Sequence, residues 1–423
     1  MVALVGLGGS ATAQDAMQSL PRPETTDPVA LGLMQGFPPP QDKLVTLANT
    51  TKFPNGRWAF HHLRELGPTA NVWRGPQPSS VLPSEPHDLD DIKFADDKGQ
   101  SITIAAWQKA TYTDGLLVLH NGRIVYEKLY AGMTAEQPHA IWSMTKSVTG
   151  LLATMSICDG TLDPNAKIAQ YLPELATSAW GDATLQQTLD MTTGLNYRED
   201  YTDPKSDLFP YLMATGLIPA PAGYGGPRSV PDFLKTVTKQ GEHDVGFQYK
   251  SVDTEVVGWV LQRVTGKSFA ELVSEKIWRG IGAEQDAFVW VDPRGAQVAS
   301  IGLNATLRDL GRFGEMLRND GKVGSRQVVA KAVIDEVRKG SDRDKFNAAG
   351  QDVRAGYSYH NQWWIPHDAN DSFEAKGLNS QHIHINPAAG LVIVKLSSHP
   401  LGNTLFTHVL DRNAFAAIAK AIQ

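Results

Sequence analysis

The chain has 423 residues, of which 42% are hydrophobic and 20% charged, so wholesale disorder is excluded and about two or three globular domains are predicted. The net charge of −6 provides no basic surplus for binding nucleic acid or an anionic membrane surface. The single cysteine, Cys158, excludes an intrachain disulfide and a cysteine-built metal centre, and no apolar run of about 18 residues predicts a membrane span.

The N-terminal segment predicts a leader peptide. A short apolar stretch is followed by Ala11-Thr12-Ala13, which has the small-x-small pattern of a cleavage site. Gly6-x-Gly8-x-x-Ala11 resembles a dinucleotide fingerprint, but Pro21 and Pro23 interrupt the chain where that fingerprint needs a long helix. We therefore expect residues 1–13 to be a signal peptide and the protein to be periplasmic or secreted. A disordered tail on a cytoplasmic protein is the alternative.

The next segments predict an extended arm, a hairpin and a helix. Residues 14–100 form the arm and wrapping segment, because they are rich in proline and contain an acid-rich stretch at 85–97. The runs from Leu116 to His120 and from Arg123 to Tyr130 are joined by Asn121-Gly122, which is typical of a tight β-hairpin. Apolar residues at helical spacing then run from Ile141 to Cys158, and we expect Cys158 to be buried.

Helical patterns dominate the middle of the chain. Residues 161–290 form a predicted helical insertion domain that includes a helix from Val256 to Val264. A helix from Asn304 to Arg318, a strand from Gly390 to Ser397 and a helix from Asn413 to Ile422 follow. Residues 101–160 and 291–423 therefore predict one α/β domain, interrupted by the helical insertion.

The first motif that carries chemistry is Ser143-Met-Thr-Lys146. Residues three apart share a helix face, so the Ser143 hydroxyl and the Lys146 amine can meet. The first turn of a helix favours developing negative charge, and a lysine made neutral by burial can take the serine proton. The four-residue pattern alone favours a helix cap beside a solvated lysine, so the chemical interpretation depends on further motifs.

Two later segments supply such motifs. Tyr249-Lys-Ser251 precedes the helix from Val256, where a phenol and a hydroxyl can point at one place, although a buried core tyrosine is the alternative. Ala375-Lys376-Gly377-Leu378 precedes a stretch of alternating polarity. Small residues on an edge strand let a substrate amide lie alongside, while a backbone N–H completes an oxyanion hole.

These three motifs, in this order, resemble the serine β-lactamases and penicillin-recognising hydrolases, in particular their class C-like branch. The resemblance spans residues 57–420. Within the family, the scattered segments that resemble the 6-aminohexanoate-dimer hydrolase group are Arg57–Leu63, Tyr112–Asp114, Tyr197–Tyr201, Gln362–Trp364 and Val394–Ser398. The resemblance implies an α+β or α/β fold in which an antiparallel sheet is flanked by helices and carries an inserted, mostly helical domain.

The resemblance also assigns roles to residues. Ser143 is the expected nucleophile, Lys146 the base that takes its proton, and Tyr249 the relay that delivers a proton to the leaving group. The residues expected to bind the substrate or the transition state are Tyr201, Ser251, Gly377, Leu378 and Trp364. Among these, Tyr201 is expected to contact the substrate amide, and the backbone N–H of Leu378 to share the oxyanion hole with that of the nucleophile. Core packing is the alternative for Trp364.

The third motif departs from the family pattern. Penicillin-recognising enzymes carry Lys-Thr-Gly, where this chain reads Ala375-Lys376-Gly377. Loss of the first cation speaks against binding of a β-lactam carboxylate, and Lys376 points to the opposite strand face from its neighbours. His382 and His384 share one strand face, but without another nearby ligand pair they do not predict a metal site.

We therefore predict a serine hydrolase that cleaves a small linear amide or ester through an acyl-Ser143 intermediate, with no metal or other cofactor and no nucleic-acid partner. The oligomeric state stays open. The alternatives are a D-Ala-D-Ala carboxypeptidase or class C-type β-lactamase, a class C-like carboxylesterase, and a non-catalytic scaffold that binds peptide or cell wall.

Overall fold

The computed structural model describes residues 20–350, 354–403, 405 and 407–423. The leader predicted at residues 1–13 lies outside these described residues. None of the helices within them is long and apolar enough to cross a membrane.

Strands are concentrated towards the two ends of the chain, and a run of helices separates them. The strands are β1 Thr69–Val72, β2 Lys93–Ala95, β3 Ser101–Thr103, β4 Thr113–His120, β5 Arg123–Leu129, β6 His139–Ala140, β7 Ala287–Trp290, β8 Leu303–Ala305, β9 Lys322–Val323, β10 Arg326–Gln327, β11 Ser358–His360, β12 Trp363–Ile365, β13 Phe373–Gly377, β14 Gln381–Asn386 and β15 Leu391–Ser397. The α-helices are α1 Asn55–Ala59, α2 Ile104–Ala110, α3 Met144–Cys158, α4 Ile168–Tyr171, α5 Leu185–Leu189, α6 Leu208–Ala214, α7 Val230–Leu234, α8 Ser251–Thr265, α9 Phe269–Val273, α10 Arg279–Ile281, α11 Leu307–Arg318, α12 Lys331–Lys339, α13 Arg343–Asn347 and α14 His408–Ile422.

A seven-stranded antiparallel sheet forms the centre of the fold, in the order β11-β12-β13-β14-β15-β4-β5. The predicted hairpin is confirmed as β4 and β5. Asn121 and Gly122 both have positive φ, at 49° and 77°, as a two-residue hairpin turn requires. A second antiparallel sheet, in the order β1-β7-β8-β6, leads through β6 into α3. The predicted class of antiparallel sheet flanked by helices is confirmed.

Strands β4 and β15 carry continuous apolar runs, at Leu116–Leu119 and Leu391–Val394, because both faces of the sheet are covered. Leu116 and Val118 of β4 pack into one cluster with Phe415 of α14, whereas Leu117 and Leu119 belong to the large core on the other face. Successive strand residues point to opposite faces, so a sheet buried on both sides needs a continuous apolar run. Between α3 and β7 the described regular elements are helical, and the domain boundaries stay a prediction.

Several predicted helix boundaries were wrong, and strand pairing explains one of them. The helix predicted from Asn304 begins at Leu307, because Asn304 pairs with Phe288 in the second sheet and the Thr306 hydroxyl caps the helix through the Asp309 N–H at 3.2 Å. The helices predicted from Val256 and Asn413 begin earlier, at Ser251 and His408.

The predicted burial of the Cys158 side chain was also wrong. Cys158 is exposed rather than buried, because it is the last residue of α3 and lies where that helix reaches the surface.

A close approach of two backbones fixes α3 against the central sheet. A Cβ at Gly150 would lie 2.0 Å from the carbonyl oxygen of Asn361, in the turn between β11 and β12. In the same turn, the Gln362 carbonyl accepts a hydrogen bond from the Ser147 hydroxyl at 2.8 Å. The helix that carries the Ser-x-x-Lys motif therefore has a fixed position relative to the sheet.

We expect Gly150→Ala to lower the free energy of unfolding by about 1–3 kcal/mol, because the added methyl overlaps a backbone atom that cannot rotate away. Denaturant unfolding followed by circular dichroism measures the change. Gly225→Ala is the matched control, since a Cβ there meets nothing within 4 Å. Equal stability of the two variants would contradict the close packing of Gly150 against the Asn361 carbonyl.

Candidate active site

Ser143 lies at a sharp turn between β6 and α3. The preceding residue, Trp142, has φ of 45°, a conformation that is strained for a bulky side chain. Phe60 packs edge-on against the Trp142 ring at 5.1 Å, which joins the N-terminal arm to this turn. The turn places the Ser143 hydroxyl at the start of the helix, and Ser143 itself is only 5% exposed.

The Ser143 hydroxyl contacts the amine predicted to activate it. Lys146 Nζ lies 2.9 Å from Ser143 Oγ and 3.3 Å from the carbonyl oxygen of Ser300, and Lys146 is 1% exposed. Burial lowers the pKa of Lys146 to about 8, although the charges of Glu199 and Glu255 oppose this effect. A neutral amine is therefore accessible at mildly alkaline pH, as a base requires.

Tyr249 adjoins this pair. Lys146 Nζ lies 5.1 Å from the centroid of the Tyr249 ring. Burial and the charge of Glu199 raise the pKa of the Tyr249 phenol, and a hydrogen bond with Ser143 only partly opposes them. The phenol therefore stays protonated beside a lysine that readily loses its proton. This arrangement suits the amine to accept a proton and the phenol to donate one.

An aromatic cluster holds Tyr249 in place. Its ring stacks on Trp364 with centroids 5.6 Å apart and planes inclined by 22°, and meets Tyr359 edge-on at 6.0 Å. The guanidinium carbon of Arg354 lies 4.3 Å from the centroid of the Trp364 ring. Trp364 is 5% exposed and belongs to the buried cluster of Met191, Phe247, Phe346, Tyr357, Tyr359 and Trp364. The structure thus places Trp364 in packing that supports Tyr249.

Glu199 joins two other residues predicted from the sequence. Its Oε1 accepts hydrogen bonds from the Tyr201 hydroxyl at 2.6 Å and from the Ser251 hydroxyl at 2.9 Å. Its Oε2 accepts from the Ser251 backbone N–H at 2.6 Å. Tyr201 is partly buried, and its pKa is raised by burial and by Glu199. The carboxylate therefore fixes the Tyr201 loop to the N-terminus of α8.

Two acidic residues at this site were missed by the sequence analysis. Glu199 lies between two tyrosines in Tyr197–Tyr201, one of the segments that carry the family resemblance. Its place in that segment was the sequence feature that could have indicated a role at the site. Glu255 on α8 hydrogen-bonds the backbone N–H groups of Ala299 and Ser300, both at 3.0 Å, and no local pattern indicates that contact. Burial raises the pKa of Glu255.

The end of β13 lies against the loop that precedes the nucleophile. A Cβ at Gly377 would be 2.3 Å from the carbonyl oxygen of Ile141, so a side chain at this position would force the two segments apart. Leu378 follows directly and is partly exposed. This approach brings the two backbone segments of the predicted oxyanion hole together, and the role of the Leu378 N–H stays a prediction.

Lys376 lies on the opposite face of β13, away from Ser143. Its ammonium forms an ion pair with Glu374 at 2.5 Å and lies 3.1 Å from His382 Nε2. His384 donates to the same carboxylate through Nδ1 at 3.0 Å. Across the described ranges, no group of three or more His, Cys, Asp or Glu side chains could hold a metal ion.

Comparison with known proteins relates the fold and the motifs to one family. The sequence model of the family described as Beta-lactamase matches residues 100–418. The 6-aminohexanoate-dimer hydrolase of Paenarthrobacter ureafaciens is 31% identical over 379 residues, which cover 89% of this chain and 94% of that protein.

Solved structures agree with this result. The "Putative 6-aminohexanoate-dimer hydrolase from Bacillus anthracis" superposes with a TM-score of 0.83 and 31% identity, over 90% of this chain and 98% of that chain. EstCE1, a hydrolase with promiscuous acyltransferase activity, shares the fold with a TM-score of 0.55 and 15% identity, over 73% of this chain and 98% of its own.

The lowered pKa of Lys146 predicts the pH dependence of Ser143 reactivity. The neutral amine accumulates as the pH rises through about 8, so the rate at which a fluorophosphonate labels Ser143 should rise through the same range. Intact-mass measurement of labelling against pH tests this expectation. Lys146→Arg keeps the positive charge but cannot deprotonate, so it should remove the rise; a rise that persisted in this variant would assign the titration to another group.

Proposed function

The chain belongs to the beta-lactamase family and is one of its serine hydrolases, and on that premise we propose that it cleaves a small linear amide through an acyl-Ser143 intermediate. The observation that carries the proposal is the 2.9 Å contact between Ser143 Oγ and the buried amine of Lys146. The substrate class follows from similarity to the 6-aminohexanoate-dimer hydrolase of Paenarthrobacter ureafaciens, and related esters suit the same machinery.

The proposed reaction has two halves. In the first, neutral Lys146 takes the hydroxyl proton while Ser143 Oγ bonds to the substrate carbonyl carbon, and the carbonyl oxygen becomes an oxyanion facing the N–H groups of Ser143 and Leu378. The C–N bond then breaks as Tyr249 gives its proton to the departing amine, and the phenol regains a proton from the Lys146 ammonium. In the second half, water attacks the acyl carbon while neutral Lys146 takes a proton from it, and the bond to Ser143 Oγ then breaks as that oxygen regains the proton from Lys146 and the acid is released.

The third motif supports a linear substrate over a β-lactam. Ala375 stands where penicillin-recognising enzymes place a lysine, and the ammonium of Lys376 is bound to Glu374 on the other strand face. A β-lactam carboxylate would therefore lack the cation that binds it in those enzymes. Retention of Ser143, Lys146 and Tyr249 in mutual contact range speaks for an enzyme over a non-catalytic scaffold. Export of the enzyme through the leader expected at residues 1–13 is part of the proposal.

Ser143→Ala should abolish acyl-enzyme formation and lower turnover of 6-aminohexanoate dimer and of short p-nitrophenyl esters by roughly 1,000-fold or more. Intact-mass spectrometry and product assays measure the two effects. Ser156→Ala is the matched control on the same helix, because its hydroxyl donates to the Leu152 carbonyl one turn earlier. Equal activity of wild type and Ser143→Ala would refute the nucleophile, and rapid nitrocefin turnover would favour a β-lactamase.

Tyr249→Phe should impair amides far more than activated esters. An amine leaves only after it is protonated, whereas p-nitrophenolate leaves without a proton, so loss of the phenol should cost about 10²–10⁴-fold on the amide and much less on the ester. Steady-state kinetics on a matched acyl group, as amide and as p-nitrophenyl ester, measure the ratio. Equal losses on both substrates would contradict a proton-donating role.

A further inference from the structure

We propose that Glu255 is a positioning residue for this reaction: it holds the Ala299-Ser300 backbone so that the Ser300 carbonyl keeps the Lys146 amine against Ser143. The inference deepens the proposed function and rests on it only in taking Ser143 as the nucleophile. Glu255 lies one helical turn after Ser251 on α8, in a segment that the sequence motifs do not include.

The Glu255 carboxylate binds two consecutive backbone N–H groups. Oε2 accepts from Ala299 at 3.0 Å and Oε1 accepts from Ser300 at 3.0 Å. Oε1 also accepts from the Tyr211 hydroxyl at 2.7 Å. Because each oxygen binds a different N–H, the carboxylate fixes both the position and the orientation of this backbone segment.

The orientation of this backbone segment decides where the Lys146 amine lies. The Ser300 carbonyl faces Lys146 Nζ at 3.3 Å, and the same amine lies 2.9 Å from Ser143 Oγ. From the other side, the Thr149 hydroxyl on α3 donates to the Ala299 carbonyl at 2.6 Å. The segment is thus held between α8 and α3, and the amine is bound to it.

A carboxylate is required here because both oxygens must accept hydrogen bonds. An amide would present N–H to one of the two backbone N–H groups, and that pair would repel. Glu255 is 3% exposed and lines a cavity of about 280 Å³ together with Trp259 and Arg263. Arg263 is paired with Glu174 at 2.6 Å, so its charge is already neutralised by another carboxylate.

The charge of Glu255 also acts directly on Lys146. The charged groups that face the amine are Glu199, from the Tyr201 loop, and Glu255, from α8, while Ser143 and the protonated Tyr249 are neutral. Both carboxylates raise the pKa of Lys146, against the larger effect of burial. Removing the charge of Glu255 should therefore lower the pKa of the amine further, so that the base becomes neutral at a lower pH.

The test is the rate at which a fluorophosphonate labels Ser143, measured by intact mass against pH on protein whose folded fraction is known from circular dichroism. For Glu255→Gln we expect labelling slowed by about 10- to 100-fold, with a midpoint lower by about 0.5–1 pH unit. For Glu255→Asp we expect slower labelling with the wild-type midpoint, because the charge stays while the shorter side chain cannot reach both N–H groups. Glu174→Gln removes the carboxylate charge that pairs with Arg263 and should match wild type.

A folded Glu255→Gln protein that labels at the wild-type rate would overturn the inference. A slower Glu255→Gln protein with the wild-type midpoint would also overturn it, because a general packing defect gives that result. If Glu255→Gln does not fold, Glu255→Asp decides, and a wild-type rate in that variant counts against the inference. Failure of the proposed function gives a different result from failure of this inference. In that case the wild-type protein itself would not be labelled at Ser143.

Discussion

The chemistry of the site depends on the burial of one amine. An ammonium ion loses its hydration when Lys146 is enclosed, and this cost favours the neutral form that can accept a proton. Two carboxylates, Glu199 and Glu255, pull in the opposite direction, yet the pKa still falls to about 8. Burial therefore outweighs the attraction, and the carboxylates keep the amine from becoming neutral far below physiological pH. The helix supplies the partner, because Ser143 lies three residues earlier on the same face.

The surroundings of Tyr249 separate its role from that of Lys146. Burial disfavours charge on both groups, which raises the pKa of a phenol and lowers that of an amine. The same environment therefore suits the phenol to donate a proton and the amine to accept one. Glu199 raises the pKa of both groups and also anchors Ser251 at the start of α8, so one side chain supplies both a charge and a positioning contact.

Local rules explain which parts of this molecule could be predicted. The Asn121-Gly122 turn and the pairing of Ser143 with Lys146 depend on residues a few positions apart, and both were predicted correctly. Glu199 and Glu255 act through contacts 52 and 45 positions away in the sequence, and periodicity carries no information about such contacts. The prediction of where α11 begins was wrong for the same reason. Asn304 pairs with Phe288 in a strand that is distant in the sequence, and this pairing overrides its helical pattern.

The alternation of side chains along β13 connects the fold to the choice of substrate. Glu374 and Lys376 point to the face covered by α14, where the ammonium also lies 3.5 Å from His408 Nδ1. Gly377 lies against Ile141 near the nucleophile. A one-residue shift in register would exchange these faces, but five paired positions with β14 fix the register. The Lys376 ammonium is thus held in the core behind the sheet, and the face of β13 near Ser143 offers backbone N–H and C=O groups, which can pair with an amide group.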